Sequence, residues 1–248
     1  MMRLGVQLPE VEYEIGWPDL LDMARTAERV GFDSVWLGDH LLYDLPGIGP
    51  RGPWEVWTSL AAIASVTERV EIGPLVACTA FHEPAMLAKL AATVDGISNG
   101  RLVLGLGAGW NRREFDAFGF PYDRRVDRFA EAFTIIRELL RNRRSTFRGS
   151  HYSVDDCVLH PGPVRPGGPP LMLGSFRPRM ISLAGPHIDA WNIWWSDFGN
   201  SAEGFARRKE SVDRLLEACG RSPGEVEATA AVLVQLPGGA GRTMGDYP

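Results

Sequence analysis

Leu102-Val103-Leu104-Gly105-Leu106-Gly107-Ala108-Gly109-Trp110-Asn111-Arg112-Arg113-Glu114-Phe115 decides how this chain is read. An apolar run of strand length passes into three glycines and then into an aromatic and polar cluster. Glycine lets backbone approach a ligand closely and reach φ values that other residues avoid. A buried strand ending this way reads as the floor for a flat or phosphorylated ligand. The spacing is G-x-G-x-G, in the fourth strand–helix unit. A dinucleotide fingerprint needs G-x-G-x-x-G opening a helix in the first unit, so that class is excluded.

Outward from this stretch, strand and helix alternate. Leu4, Val6 and Leu8 form a first strand; Pro18 opens a helix with Leu20, Leu21, Ala24, Ala27 and Val30 on one face and Gly31 as its stop. Ser34 to Leu37 is the second strand, Trp54 to Thr67 a helix, Val70 to Ala77 the third strand, and Pro84 to Ile97 a helix. Leu102 to Leu106 is the fourth strand, followed by a helix over Arg125 to Arg141. Ser145 to Val158 reads as a small hairpin insertion after the fourth unit, and Pro161 to Pro170 as loop. Leu171 to Leu173, Asp189 to Trp194 and Ala228 to Gln235 are strands five to seven, with helices over Pro178 to Ala184 and Ala202 to Cys219. Pro237 to Pro248 has no helical period.

The alternation predicts an α/β fold, a parallel sheet with helices outside. Pro9 to Trp17 lacks the glycine triplet of a doubly wound sheet, so a TIM-type (β/α) barrel fits better, one domain over residues 1–248. Its chemistry is expected on the loops after the strands. Such a barrel takes eight strands, and the eighth βα unit is missing from the count. The barrel is therefore expected to be incomplete at the C-terminus, with open edges for a second copy to cover as a homodimer.

A hydrophobic content of 45% supports a sizeable core, and a net charge of -5 without a basic block excludes nucleic acid as a partner. Cys78, Cys157 and Cys219 have no paired spacing, which fits a reducing, cytoplasmic location. No apolar run spans a bilayer, and Met1-Met2-Arg3-Leu4 leads straight into a strand, so neither membrane nor signal peptide is expected. A metal hydrolase of barrel type needs His-x-His on the first strand, where Leu4-Gly5-Val6-Gln7-Leu8 stands instead. A glycosidase needs two facing carboxyls, and the ends of strands four and seven offer no such pair. No residue is assigned to a metal.

Together these loops resemble the luciferase-like monooxygenase superfamily. The matching residues are Gly38-Asp39-His40, Ile72-Gly73-Pro74-Leu75-Val76, the run from Pro84 through Gly100-Arg101-Leu102, Gly105 to Trp110 with Glu114, Phe115 and Phe118-Gly119, and Asp189-Ala190-Trp191-Asn192. The resemblance covers essentially the whole chain. It implies an oxidoreductase that uses reduced FMN with O2 to oxygenate a small organic substrate, or the deazaflavin coenzyme F-420 for hydride transfer. It places the ring across the barrel mouth and its phosphate near Gly174 and Ser175, with Arg177 or Arg179 as charge partner. A helix N-terminus after a strand suits such an anion. It also implies a non-proline cis peptide within Leu75, Val76, Ala77 and Cys78, and an eighth unit. The alternative reading is a shortened barrel that binds without turnover.

Within that frame His40 is the first catalytic candidate, since an imidazole titrates near neutral pH. Asp39 beside it is expected to orient backbone or His40. Gly107, Ala108, Gly109 and Trp110 are expected at the ring. Asn111 and Glu114 read as helix-start residues, and Glu114 as structural. By strand alternation Trp191 and Trp195 share one face and Trp194 takes the other; they line an apolar substrate slot or pack a core. His82 follows the third strand near the mouth, and Glu10 reaches toward it.

Overall fold

Proline and glycine punctuation sets several helix ends in the computed structural model, which describes residues 2–222 and 224–234. β1 (Gly5–Gln7) leads into α1 (Trp17–Val30), with Pro18 in its first turn. Gly31 ends the helix at φ 98°, a left-handed cap that glycine adopts without the Cβ penalty. Leu20, Ala24 and Ala27 form its buried face. After β2 (Ser34–Leu37) comes a short antiparallel hairpin, β3 (Tyr43–Leu45) with β4 (Gly49–Arg51), that the sequence pattern did not announce. Its strands are too short to show alternation. Glu55 then caps α2 (Val56–Val66), its carboxylate accepting from Trp57 N at 2.8 Å and Thr58 N at 2.7 Å.

The third strand is interrupted. It runs as β5 (Glu71–Pro74) and β6 (Ala77–Cys78), with a cis peptide between Leu75 and Val76. α3 (Pro84–Ile97), β7 (Leu104–Gly107), α4 (Arg112–Phe118) and α5 (Arg125–Asn142) follow. β8 (Arg144–Arg148) and β9 (Ser153–Val158) pair antiparallel where a hairpin was expected, and β10 (Leu171–Leu173) comes next.

β1, β2 and β5 are parallel neighbours, with Gly5↔Ser34 and Ser34↔Glu71 in register. β6, β7 and β10 are likewise parallel. Ile72 N donates to Arg101 O at 3.0 Å and Val103 N to Ile72 O at 2.9 Å, which joins the two sets. Strand order thus follows chain order without the reversal that marks a doubly wound sheet. Leu60, Ile63, Ile72, Leu87, Leu104 and Ile135 are fully buried between strands and helices.

Backbone contacts divide the chain after Gly174, so the single domain expected over residues 1–248 is described as two units. The second holds α6 (Pro178–Ala184), β11 (Ala190–Trp194), α7 (Ala202–Ala218) and β12 (Glu227–Ala231). β11 and β12 are parallel, from Ala190↔Glu227 to Trp194↔Ala231. The tail from Pro237 to Pro248 lies outside the described residues. No helix among the described residues is long and apolar enough to cross a membrane.

Where the strands of the first unit begin, charged side chains are tied to backbone. The Arg101 guanidinium donates to Ser98 O, Val70 O, Ala64 O, Thr67 O and Thr67 Oγ1 at 2.8–3.0 Å. Glu28 accepts from the backbone N–H groups of Glu68, Arg69 and Val70. Asp95, fully buried, accepts from Val164 N at 2.9 Å and from Arg165 Nη2 at 3.3 Å.

Candidate functional site

The opposite ends of the same strands carry the candidate site residues. Gly38-Asp39-His40 follows β2, and Glu114 lies in the first turn of α4. His40 Nδ1 is 2.9 Å from Glu114 Oε1, and Glu114 Oε2 accepts from Leu41 N at 2.6 Å. Glu114 is fully buried. The residue expected to be structural therefore fixes the histidine. With Nδ1 engaged, Nε2 is the proton site left open, since the partner of one ring nitrogen sets the state of the other. The imidazole packs 4.7 Å from the Tyr43 ring and 5.7 Å from the exposed Trp110 ring. Burial pushes the His40 pKa down. The hydrogen bond to Glu114 and the charges of Glu10, Glu114 and Asp39 outweigh that, so it sits above the ordinary value.

Asp39 turns elsewhere. Its Oδ2 accepts from Cys78 N at 2.8 Å and lies 3.2 Å from His82 Nε2. Asp39 thus orients the backbone at the end of β6, one of the two roles expected of it, and holds His82 rather than His40. The Trp57 ring stands edge-on to His82, and its buried Nε1 has no hydrogen-bond partner.

Glu10 is the third carboxyl near His40. Gln7 Nε2 donates to its Oε1 and the Tyr43 hydroxyl to its Oε2, the latter at 3.1 Å. Gly38 makes room for it, because a Cβ at that position would collide with the carboxyl group. Burial raises the Glu10 pKa. The His40 charge opposes this, Glu12 reinforces it, and the hydrogen bonds from Tyr43 and Gln7 oppose it; the net direction is up. Burial, then the charges of Glu10 and Glu114, raise the Tyr43 pKa strongly.

Beside this cluster the strand tips are bare. A Cβ on Gly107 would lie 2.8 Å from Val76 Cγ2, and one on Gly174 would collide with the same methyl group. Gly105 leaves space for Val76 Cγ1 in the same way. The Val76 side chain is therefore ringed by backbone, an apolar and side-chain-poor seat at the tips of β7 and β10. A flat aromatic ring fits such a seat, while charged groups stand at its side. Cys78 packs in a small apolar cluster with Ala80 and Phe115, and burial raises its thiol pKa.

The second unit holds the remaining candidates. Ser175 Oγ accepts from Arg177 N at 3.2 Å, and the Arg177 and Arg208 guanidinium groups each lie 4.7 Å from the Phe176 ring. Trp191 is fully buried and stacks on Phe205 of α7 at 6.0 Å, so it packs core rather than lining a slot. Trp194 is half-buried at the end of β11, and Trp195 is buried in the turn that follows. Trp191 and Trp195 do not share a strand face, because the chain leaves the strand between them.

Glu114 and Tyr43 are the site residues that sequence reasoning left out. Asn111 and Glu114 do form a helix start, Asn111 Oδ1 accepting from Arg113 N at 3.2 Å. That local signal hid the contact with a histidine 74 positions earlier.

A profile of the luciferase-like monooxygenase family matches residues 2–237. The chain is 33% identical over 235 residues to a protein of Amycolatopsis mediterranei (strain U-32) named F420-dependent glucose-6-phosphate dehydrogenase, covering 88% of this chain and 68% of that one. It is 37% identical over 242 residues to a protein of the same name from Microbacterium testaceum (strain StLB037), covering 94% and 68%. A solved structure titled F420-dependent secondary alcohol dehydrogenase in complex with an F420-acetone adduct matches with a TM-score of 0.76 at 25% identity, covering 92% and 68%. The fold is thus the α/β fold of TIM-barrel-like oxidoreductases. The chain belongs to the luciferase-like monooxygenase family.

Proposed function

We propose that the protein transfers a hydride between the deazaflavin coenzyme F-420 and a small organic substrate bearing a hydroxyl or carbonyl group. One observation carries this reading. Glu114 locks His40 through Nδ1 and leaves Nε2 as a proton site, while the tips of β7 and β10 are bare of side chains around Val76. The F420-dependent dehydrogenases to which the chain is similar support the same reading. Val76, Gly107 and Gly174 would lie under the ring, with Ala108, Gly109 and Trp110 at its edge. When bound, the deazaflavin supplies a carbon centre that takes or gives two electrons as hydride; the organic chemistry is the cofactor's. The protein's residues handle the proton. In alcohol oxidation His40 Nε2 takes the hydroxyl proton, and Glu114 steadies the imidazolium that results. In carbonyl reduction the same nitrogen returns it.

Reduced FMN with O2 is the second reading, favoured by the family's monooxygenase description. Titration of the purified protein with F-420 and with FMN, followed by fluorescence, separates the two. The expected result is saturable F-420 binding that His40→Ala retains while losing turnover. Saturable binding of FMN alone overturns the deazaflavin reading. A homodimer completes the proposal, checked by light scattering.

A further inference from the structure

Glu10 is a carboxyl beside His40 that the mechanism leaves unused, and its position lies between two environments. On one side are the Tyr43 hydroxyl and the His40 imidazole, whose charge it senses. On the other it lines a cavity of about 440 Å³, together with Tyr13, Glu14, Arg51 and Trp54. The other two carboxyls are not so placed. Glu114 accepts from His40 and from Leu41 N and is fully buried. Asp39 accepts from Cys78 N and holds His82.

We propose that Glu10 is the proton exit of this site: it receives the proton that His40 takes from the substrate hydroxyl and hands it to solvent in the outer cavity. The inference rests on the reading of His40 as the acid–base group. In alcohol oxidation a bound deazaflavin would take up the C–H electron pair as hydride. The O–H pair becomes the second bond of the carbonyl, and the proton goes to His40 Nε2. The Nε2–H bond then breaks as an intervening water takes that proton and gives one of its own to a Glu10 oxygen, and the proton on Glu10 passes to water or buffer in the cavity. Reduction runs the same steps backward.

Two features make Glu10 suited to this. Its hydrogen-bond donors, Gln7 and Tyr43, are neutral, so no fixed cation holds it permanently ionised. Burial lifts its proton affinity above that of an ordinary carboxylate, which suits a group that must hold a proton on its way out. The charged and titratable groups facing it are few. Glu12 accepts from Glu10 N at 2.8 Å and adds negative charge; His40 and Tyr43 face it from the loop and hairpin after β2. Glu14 and Arg51 share the cavity wall, and Arg51 Nη1 donates to Val11 O at 3.2 Å.

Glu10→Gln keeps the shape and removes the proton carrier. In the protein without cofactor, NMR titration of His40 should show its imidazole pKa falling in Glu10→Gln as a negative neighbour is lost. In the cofactor-loaded enzyme kcat should fall on the order of 10²-fold with KM little changed, the low end of a general acid–base effect. Proton release read by an indicator dye should lag behind hydride transfer. High concentrations of a small buffer acid should restore kcat, which a merely structural defect would not allow. Unchanged His40 titration together with unchanged, buffer-independent kcat overturns the proposal. If Glu10→Gln fails to fold, Tyr43→Phe removes only the hydroxyl bound to Glu10. It should shift the pH profile of kcat and make it buffer-sensitive, and an unaltered profile overturns the proposal equally. If His40→Ala retains turnover, the acid–base reading fails; if only the Glu10 and Tyr43 results are negative, the exit alone fails.

Discussion

The two ends of the parallel strands in the first unit both hold charge by hydrogen bonds, and they do so in different ways. Where the strands begin, Arg101 places its donors on backbone carbonyls and the Thr67 hydroxyl, and Glu28 collects three backbone N–H groups. None of those partners titrates. Where the strands end, His40 faces Glu114, Glu10 and Asp39, and its partners are themselves ionisable. Hydrogen-bonded charge recurs at both ends, and the proposed acid–base role needs the ionisable partners that stand only where the strands end. What differs is whether the partner can exchange a proton.

The largest effect comes from breaking the reactive end. Glu114→Gln can still accept from Leu41 N, but its amide N–H2 then faces His40 Nδ1. Nδ1 must accept, so the ring proton moves to Nε2 and the base is lost. Turnover should fall about 10²–10⁴-fold, as should that of His40→Ala, with melting temperatures near wild type. Full activity in Glu114→Gln would show that the tautomer of His40 does not matter.

Breaking the structural end should do the reverse. Arg101→Lys replaces a fixed five-donor fork with three rotatable donors, leaving buried carbonyls unpaired. A loss of about 3 kcal/mol is expected from denaturant unfolding, as two such groups go unsatisfied. Activity per folded molecule should not change. A Lys variant as stable as wild type would mean that water reaches these carbonyls.

The contrast also explains what was legible in the sequence. Elements with local start and stop signals were placed to the residue: Ser34–Leu37, Pro84–Ile97, Leu171–Leu173 and Pro178–Ala184. Two of them are helices opened by proline. His40 stood out only through the family resemblance carried by Gly38-Asp39-His40, since a lone histidine after a strand reads as structural. Glu114 did not, because its role depends on chain-distant packing and its local surroundings supply a sufficient reason for a carboxylate there. The β3–β4 hairpin was missed because three-residue strands carry no period. Trp195 was placed on the wrong face because alternation holds only while the chain stays in the strand.

The glycine seat gives an intermediate effect. Gly107→Ala places a methyl group against Val76 Cγ2. Such overpacking costs about 1–3 kcal/mol, and here the strain falls on the side chain that forms the seat. Cofactor affinity by fluorescence titration should therefore drop together with stability. Retained affinity would place the ring elsewhere.

The smallest effect is the most diagnostic of the comparison, because its sign differs between the ends. Burial alone would raise the Glu28 pKa, but N–H donors from Arg69, Val70 and Glu68 and the charge of Arg101 outweigh it, so the folded value lies below the unfolded one. Its stabilisation is therefore present above the unfolded glutamate pKa of about 4.3 and is lost as pH falls through the folded value. His40 has the opposite sign. Its folded pKa is raised, so its contribution is present below the unfolded value of about 6.5 and is lost as pH rises through the folded one. Glu28→Gln should cost about 1 kcal/mol near neutral pH, and the gap to wild type should close in acid. His40→Ala should differ most from wild type in stability below pH about 6 and least in base. If both variants lost stability in the same pH direction, hydrogen-bonded charge at the two ends would be doing the same job and the contrast would fail.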